Sequence, residues 1–338
     1  MTMLSACQTK KKDYIQTLNR MGWSMLFFDI LFFGLTFLTE GIILLFESNT
    51  TSIQGTFAIV LDGILSTLGY MIPFFAAGIF FLFLSRHNRT ERICLEAGFT
   101  SDFPLLILAG LAINTAGSFI NSIFCDLIGF SFPEDMVISG PYDNPSTIIL
   151  YMASAIAPAF AEEFLFRGVF YTNLRPYGRT QAILISSLLF ALMHQNIAQL
   201  FYTFVAGIAM ALMYELTGSI WCSVIYHLIN NELAVLFEVM IYGKVGENAY
   251  TAMIVWDIVI FVLGITALII LIFFPHKKKP SSVHTNRENR EVFRRLLSTD
   301  RTTPTATVVR GLLTPGIITF TAATVFFMLL TWASLLIS

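Results

Sequence analysis

Apolar residues run in long blocks along most of the chain, separated by short polar or charged stretches. A bilayer core of about 30 Å takes roughly 20 helical residues to cross. Nine blocks reach or approach that length, at roughly 23–46, 57–84, 103–130, 147–174, 181–194, 197–216, 219–242, 252–274 and 316–337. Inside lipid every backbone group must be satisfied within the segment, so open blocks of this kind are read as helices. The pattern predicts an all-α fold, a polytopic transmembrane helical bundle of about nine spans, with 181–194 the shortest.

Basic residues alternate with these spans. Lys10, Lys11, Lys12 and Arg20 precede the first, Arg86, Arg89 and Arg92 follow the second, and Arg175 and Arg179 follow the fourth. After the eighth come Lys277, Lys278, Lys279 and a run of arginines that includes Arg287, Arg290, Arg294 and Arg295. The stretches 47–55, 131–146 and 243–251 carry at most one lysine each. Cytoplasmic loops are enriched in Lys and Arg, so the chain is expected to be a multi-pass protein of the cell membrane with its N-terminus cytoplasmic. Reporters fused at residues 140 and 285 are expected on opposite sides, with 285 cytoplasmic. Finding both on one side would end that assignment.

Composition agrees with the pattern. Of 338 residues, 56% are hydrophobic and 12% charged, against about 25% charged in a soluble domain. The net charge of −2 leaves no basic footprint for nucleic acid; the expected partners are the lipid bilayer and whatever the buried polar groups act on. Cys7, Cys94, Cys125 and Cys222 form no CxxC pair, so neither a disulfide framework nor a thiolate metal site is expected. Leu4-Ser5-Ala6-Cys7 looks like a lipoprotein cleavage box. Only three residues precede it, so no cleavable signal is expected and the first span itself would direct insertion.

Three polar constellations stand inside the apolar blocks. The first is Glu162-Glu163-x-x-x-Arg167. A charge in hydrocarbon costs about 2.5–3.5 kcal/mol on insertion scales. Glu163 and Arg167 are four apart and share a helical face, whereas Glu162 is turned by about 100° and needs another purpose. Pinning a helix end at the membrane surface would explain the pair, but neither Glu162 nor the histidines that follow. The second is Phe190-x-x-x-His194, and the third His227-x-x-x-Asn231, which sets an imidazole beside an amide. A lone histidine in such a run is more often a hydrogen-bonder between helices. Asp29, Glu40, Asp62, Asp126, Glu232, Glu238 and Asp257 are read as interfacial groups or polar contacts between helices.

Depth ties the three together. Counted at ~1.5 Å per residue from the cytoplasmic side, Glu162, His194, His227 and Asn231 fall at roughly 12–20 Å. One shared site explains that coincidence. Hydrolysis of an amide needs an activated water, a proton acceptor and stabilisation of an oxyanion. A buried glutamate accepts a proton readily; a histidine positions the water; an imidazole and an amide donate to the oxyanion. Glu162, His194 and His227 equally form a set for one zinc ion with an open position.

In order and spacing these motifs resemble those of the CPBP family, the CAAX-prenyl-type and bacteriocin-processing (Abi) membrane endopeptidases, over roughly residues 145–245. The resemblance implies an intramembrane protease acting on a membrane-associated peptide or protein. It implies Glu162 as the water-activating base, His194 beside that water, His227 and Asn231 as oxyanion donors, and Glu163, Arg167 and Phe190 as support. The family has been described both as metal-dependent and as glutamate-based, so zinc stays open, as does prenylation of the substrate. The chain then divides into a cytoplasmic tail (1–22), N-terminal spans (23–144), the CPBP-like core (145–245), a further span (246–274), a basic cytoplasmic loop (275–315) and a C-terminal span (316–338). The alternative is a non-catalytic immunity or scaffold protein of the same fold, which has no need of all four polar residues. A transporter would be expected to show paired repeats and broken helices, and the sequence shows neither.

Overall fold

The computed structural model describes residues 3–47, 52–86, 93, 95, 99, 102–129, 155–242, 248–274 and 304–337. Among these residues there are helices and turns and no strand. Helix α1 spans Met3–Glu47, α2 Ser52–Leu84 and α3 Phe103–Leu127. Helix α4 is α-helical over 155–163, π-helical over Phe164–Tyr171 and α-helical again over Thr172–Leu174, and it ends in a 3-10 turn at Arg175–Tyr177. Helices α5 (Arg179–Met193), α6 (Leu200–Thr217), α7 (Ile220–Tyr242), α8 (Ala249–Phe273), α9 (Thr305–Leu312) and α10 (Pro315–Ile337) follow.

The all-helical membrane bundle is what the hydropathy pattern predicts, but the span count differs. Among the described residues six helices are long and apolar enough to cross a membrane, and seven if α9 and α10, bent by 60° at their junction, count as one span. The two expected spans not among them are 147–174, of which 147–154 lie outside the described residues, and 181–194. The first carries Glu162, Glu163 and Arg167 and turns π-helical at Phe164. The second, α5, has 15 residues, about 22 Å of helix, shorter than the roughly 30 Å of a bilayer's hydrocarbon.

The stretch expected as an N-terminal tail is helical from Met3 and continuous with the first span. Tyr14, Leu18, Met21, Met25 and Phe28 recur at alternating steps of four and three residues, one stripe of a helix, and all are buried. Of the expected basic loop at 275–315, residues 305–312 form α9; 275–303 lie outside the described residues, as do the polar stretch at 131–146, residues 48–51 and most of those at 85–102.

Lipid is as apolar as a leucine side chain, so packing and interhelical hydrogen bonds, more than escape from water, hold such helices together. The most extensive contacts join α3 to α8, α1 to α2, α5 to α6, α1 to α10 and α3 to α6. Glycine permits the closest of them. A Cβ on Gly22 would collide with the backbone of Gly316 on α10, and one on Gly264 with the carbonyl of Leu108 on α3. Helix α8 turns Ile254, Val255, Ile258, Val259 and Val262 outward, as a lipid-facing surface should. Helix α4 is the opposite case: Leu165 through Tyr171 are all buried, and rings from α2 and α5 pack on it through Phe75–Phe164, Phe81–Phe170 and Phe190–Phe166 pairs. The charged helix is thus the innermost one.

Candidate active site

At the junction where α4 becomes π-helical, Glu163 and Arg167 lie on one face, as their spacing predicts. Arg167 Nη1 donates to Glu163 Oε1 at 2.7 Å with both side chains fully buried. Nη2 donates to the carbonyl of Gly207 on α6 at 3.0 Å, and the guanidinium lies 4.6 Å above the ring of Phe190 on α5. One cation therefore ties three helices together, and the cation–π contact is worth about 2 kcal/mol where both groups are desolvated. At the C-terminal end of α4, Tyr171 Oη donates to Glu215. Arg175 Nε and Arg179 Nε each reach the same carboxylate at 2.8 Å. Arg175 at the end of α4 and Arg179 at the start of α5 thus tie both helices to α6.

His227 on α7 stands between the two glutamates. Its Nδ1 is 3.1 Å from Glu163 Oε1, and its Nε2 is 3.8 Å from Glu162 Oε2. An ionised carboxylate only accepts, so Nδ1 carries the proton toward Glu163. The turn between Glu162 and Glu163 sends the former in another direction, toward α2, where the hydroxyl of Tyr70 donates to its Oε1. Its Oε2 is buried and has no hydrogen-bond partner among the described residues.

Helix α5 stops at the second histidine. His194 is its C-cap, and its Nδ1 lies 2.9 Å from the carbonyl of Phe190. A carbonyl accepts, so Nδ1 is the donor and Nε2 is left as an acceptor. The ring of Phe190 stands edge-on to both imidazoles, 4.9 Å from His194 and 5.9 Å from His227 between centroids. The next residue, Gln195, has φ +50, the one positive value among the described non-glycine residues. A left-handed backbone at such a residue costs about 1–3 kcal/mol. Its side-chain amide donates to Asp29 Oδ1 on α1 at 2.9 Å, which holds the turn beside His194.

The structure brings Glu162, Glu163, Arg167, Phe190, His194 and His227 into one cluster. Asn231 is one turn beyond His227 and lines, with His194, His227, Tyr202 and Asn230, a cavity of about 1040 Å³ walled further by α3 and α8. Asn230 takes a hydrogen bond from Asn114 of α3 at 2.8 Å. Tyr70, Gln195 and Asn114 are absent from the sequence reading, and Asp29 enters it only as a polar contact between helices. An acid near the middle of a span is a signal in its own right. A tyrosine or an asparagine in an apolar block is not, because its partner lies more than ninety residues away.

A zinc ion would need three of these side chains to converge on one point. Among the described residues no group of three His, Cys, Asp or Glu is placed to hold a metal ion. The residues do not fit a zinc centre as they stand, and no chemical step is routed through one.

The fold and the site define a multi-pass membrane protein in which Glu162 of the innermost helix and His227 are buried, with His194 and Asn231 half-buried beside them. Residues 144–233 match the family model described as Type II CAAX prenyl endopeptidase Rce1-like. That segment, a little over a quarter of the chain, is similar to the CAAX-protease family that the three motifs resemble, and all seven motif residues lie within it. No curated protein and no solved structure matches the chain.

Proposed function

We propose that the chain is an intramembrane endopeptidase that cleaves a membrane-associated peptide or protein by glutamate-activated water. Its orientation is taken from the charge alternation, with the N-terminus cytoplasmic. The observation that carries the reading is the free, buried Oε2 of Glu162 beside His227, with His194 and Asn231 at the adjoining cavity. Water held between Glu162 Oε2 and His194 Nε2 gives its proton to Glu162 as its oxygen attacks the peptide carbonyl. The oxyanion takes hydrogen bonds from the Asn231 amide and from His227 Nε2. Because Nδ1 of His227 already serves Glu163, the ring donates through Nε2 only when it carries both protons. Collapse of the tetrahedral intermediate breaks the C–N bond, and Glu162 returns its proton to the leaving amine. Phe190 and the Glu163–Arg167 pair hold the two imidazoles in place throughout.

The test compares membrane and secreted peptides from cells carrying the wild type and Glu162→Ala. A peptide that accumulates uncut in the variant is expected, and its sequence and any prenyl group define the substrate. If no peptide differs and the cellular phenotype persists through Glu162→Ala, His194→Ala, His227→Ala and Asn231→Ala, the chain is a membrane scaffold instead.

A further inference from the structure

We infer that Tyr70, on a helix outside the segment that matches the family model, is the positioning residue for the proposed catalytic glutamate. This rests on the endopeptidase reading above. Tyr70 Oη donates to Glu162 Oε1, a contact across 92 positions of sequence. A carboxylate has two oxygens that exchange places by a half-turn of its terminal torsion, which is soft. Fixing one oxygen fixes the direction of the other. With Oε1 held by Tyr70, Oε2 lies 3.8 Å from His227 Nε2 and is left without a partner among the described residues, free to take the water that it shares with His194.

The support for Tyr70 is itself built. Its ring packs on Phe74, 5.1 Å between centroids, and on Phe32 of α1, 6.0 Å away. Phe74 is fully buried and reaches Phe166 on α4. One turn on, Phe75 packs on Phe164 at 4.9 Å. Gly78 lies against Phe164 so closely that a Cβ there would force the ring to move. These contacts set the height of α2 against α4 and hence the height of the hydroxyl against Glu162. Pro73 lies within α2; it removes the backbone hydrogen bond to the carbonyl four residues earlier, in the turn that carries Tyr70. The N-terminal spans are thus part of the site and not only its membrane anchor.

The alternative for Tyr70 is a purely structural tie between α2 and α4, and the two differ in what Tyr70→Phe does. Phenylalanine keeps every ring contact and removes only the donor. The variant is expected to unfold at the wild-type temperature and to lose kcat by roughly ten- to a hundred-fold, the range of a hydrogen bond to a charged group, with KM within about two-fold. In a Glu162→Gln background, where no base remains to be aimed, Tyr70→Phe is expected to cause no further loss of residual activity. Wild-type kcat in Tyr70→Phe would overturn the inference, as would a fall in Tm with kcat per folded molecule preserved. If the variant does not survive detergent, cleavage in native membranes normalised to the folded fraction decides in the same way. A dead Glu162→Gln beside a fully active Tyr70→Phe removes this inference alone; an active Glu162→Gln removes the mechanism on which it rests.

Discussion

Glu162→Gln is expected to abolish cleavage while leaving the protein folded. The amide matches the carboxylate in shape, and its carbonyl oxygen still accepts from Tyr70, so the contact between α2 and α4 survives. The amide cannot take a proton from water. General-base catalysis contributes about 10²–10⁴-fold, and loss of the whole factor is expected in kcat for purified enzyme on a confirmed substrate. Asn231→Ala provides the scale for comparison. It removes one oxyanion donor at the cavity wall, with an expected loss of about 10²–10³-fold and an unchanged thermal transition. A Glu162→Gln variant that keeps substantial cleavage would show that the base lies elsewhere, with His194 the next group to examine.

Arg167→Ala is expected to damage the fold before the chemistry. The guanidinium is fully buried, pairs with Glu163, donates to the Gly207 carbonyl and covers Phe190. Breaking a buried pair by removing one member costs roughly 3–5 kcal/mol, because the remaining charge is left uncompensated. Here that charge is Glu163, which also orients His227 through Nδ1. Folded yield in detergent and Tm should both fall. Arg167→Lys keeps the charge but not the planar fork, so it should recover part of the loss. Normal yield and Tm in Arg167→Ala with activity gone would place Arg167 in the chemistry instead.

Much of the molecule is legible from spacing alone. Block length predicts helices in a bilayer, and six of the nine blocks coincide with described helices long and apolar enough to cross one, with the last block contained in the bent pair α9 and α10. The four-residue interval between Glu163 and Arg167 brings the two together whatever surrounds them, because neighbours on a helix face are decided by local geometry. The stripe Tyr14, Leu18, Met21 is equally present in the sequence, just after three lysines that by themselves suggest a polar tail. Hydrophobic periodicity outranked local charge, since the stripe packs on α9 and on Tyr177 while Lys10 and Lys12, a turn earlier, are exposed.

By itself the sequence determined the class of fold, the set of polar residues inside it and their common depth, since each depends on distances of one to four residues or on counting along a helix. Only the tertiary structure decided what those residues meet. The π-helical turn at Phe164–Tyr171, the end of α5 at His194, and the bonds from Tyr70 to Glu162 and from Gln195 to Asp29 have no local signal. A hydrogen bond between helices a hundred residues apart leaves no period in the chain, and a tyrosine facing a glutamate reads the same as one facing lipid. The proton positions on the two histidines follow the same rule: each is set by an acceptor, the Phe190 carbonyl or the Glu163 carboxylate, and only the packed bundle places those acceptors within reach.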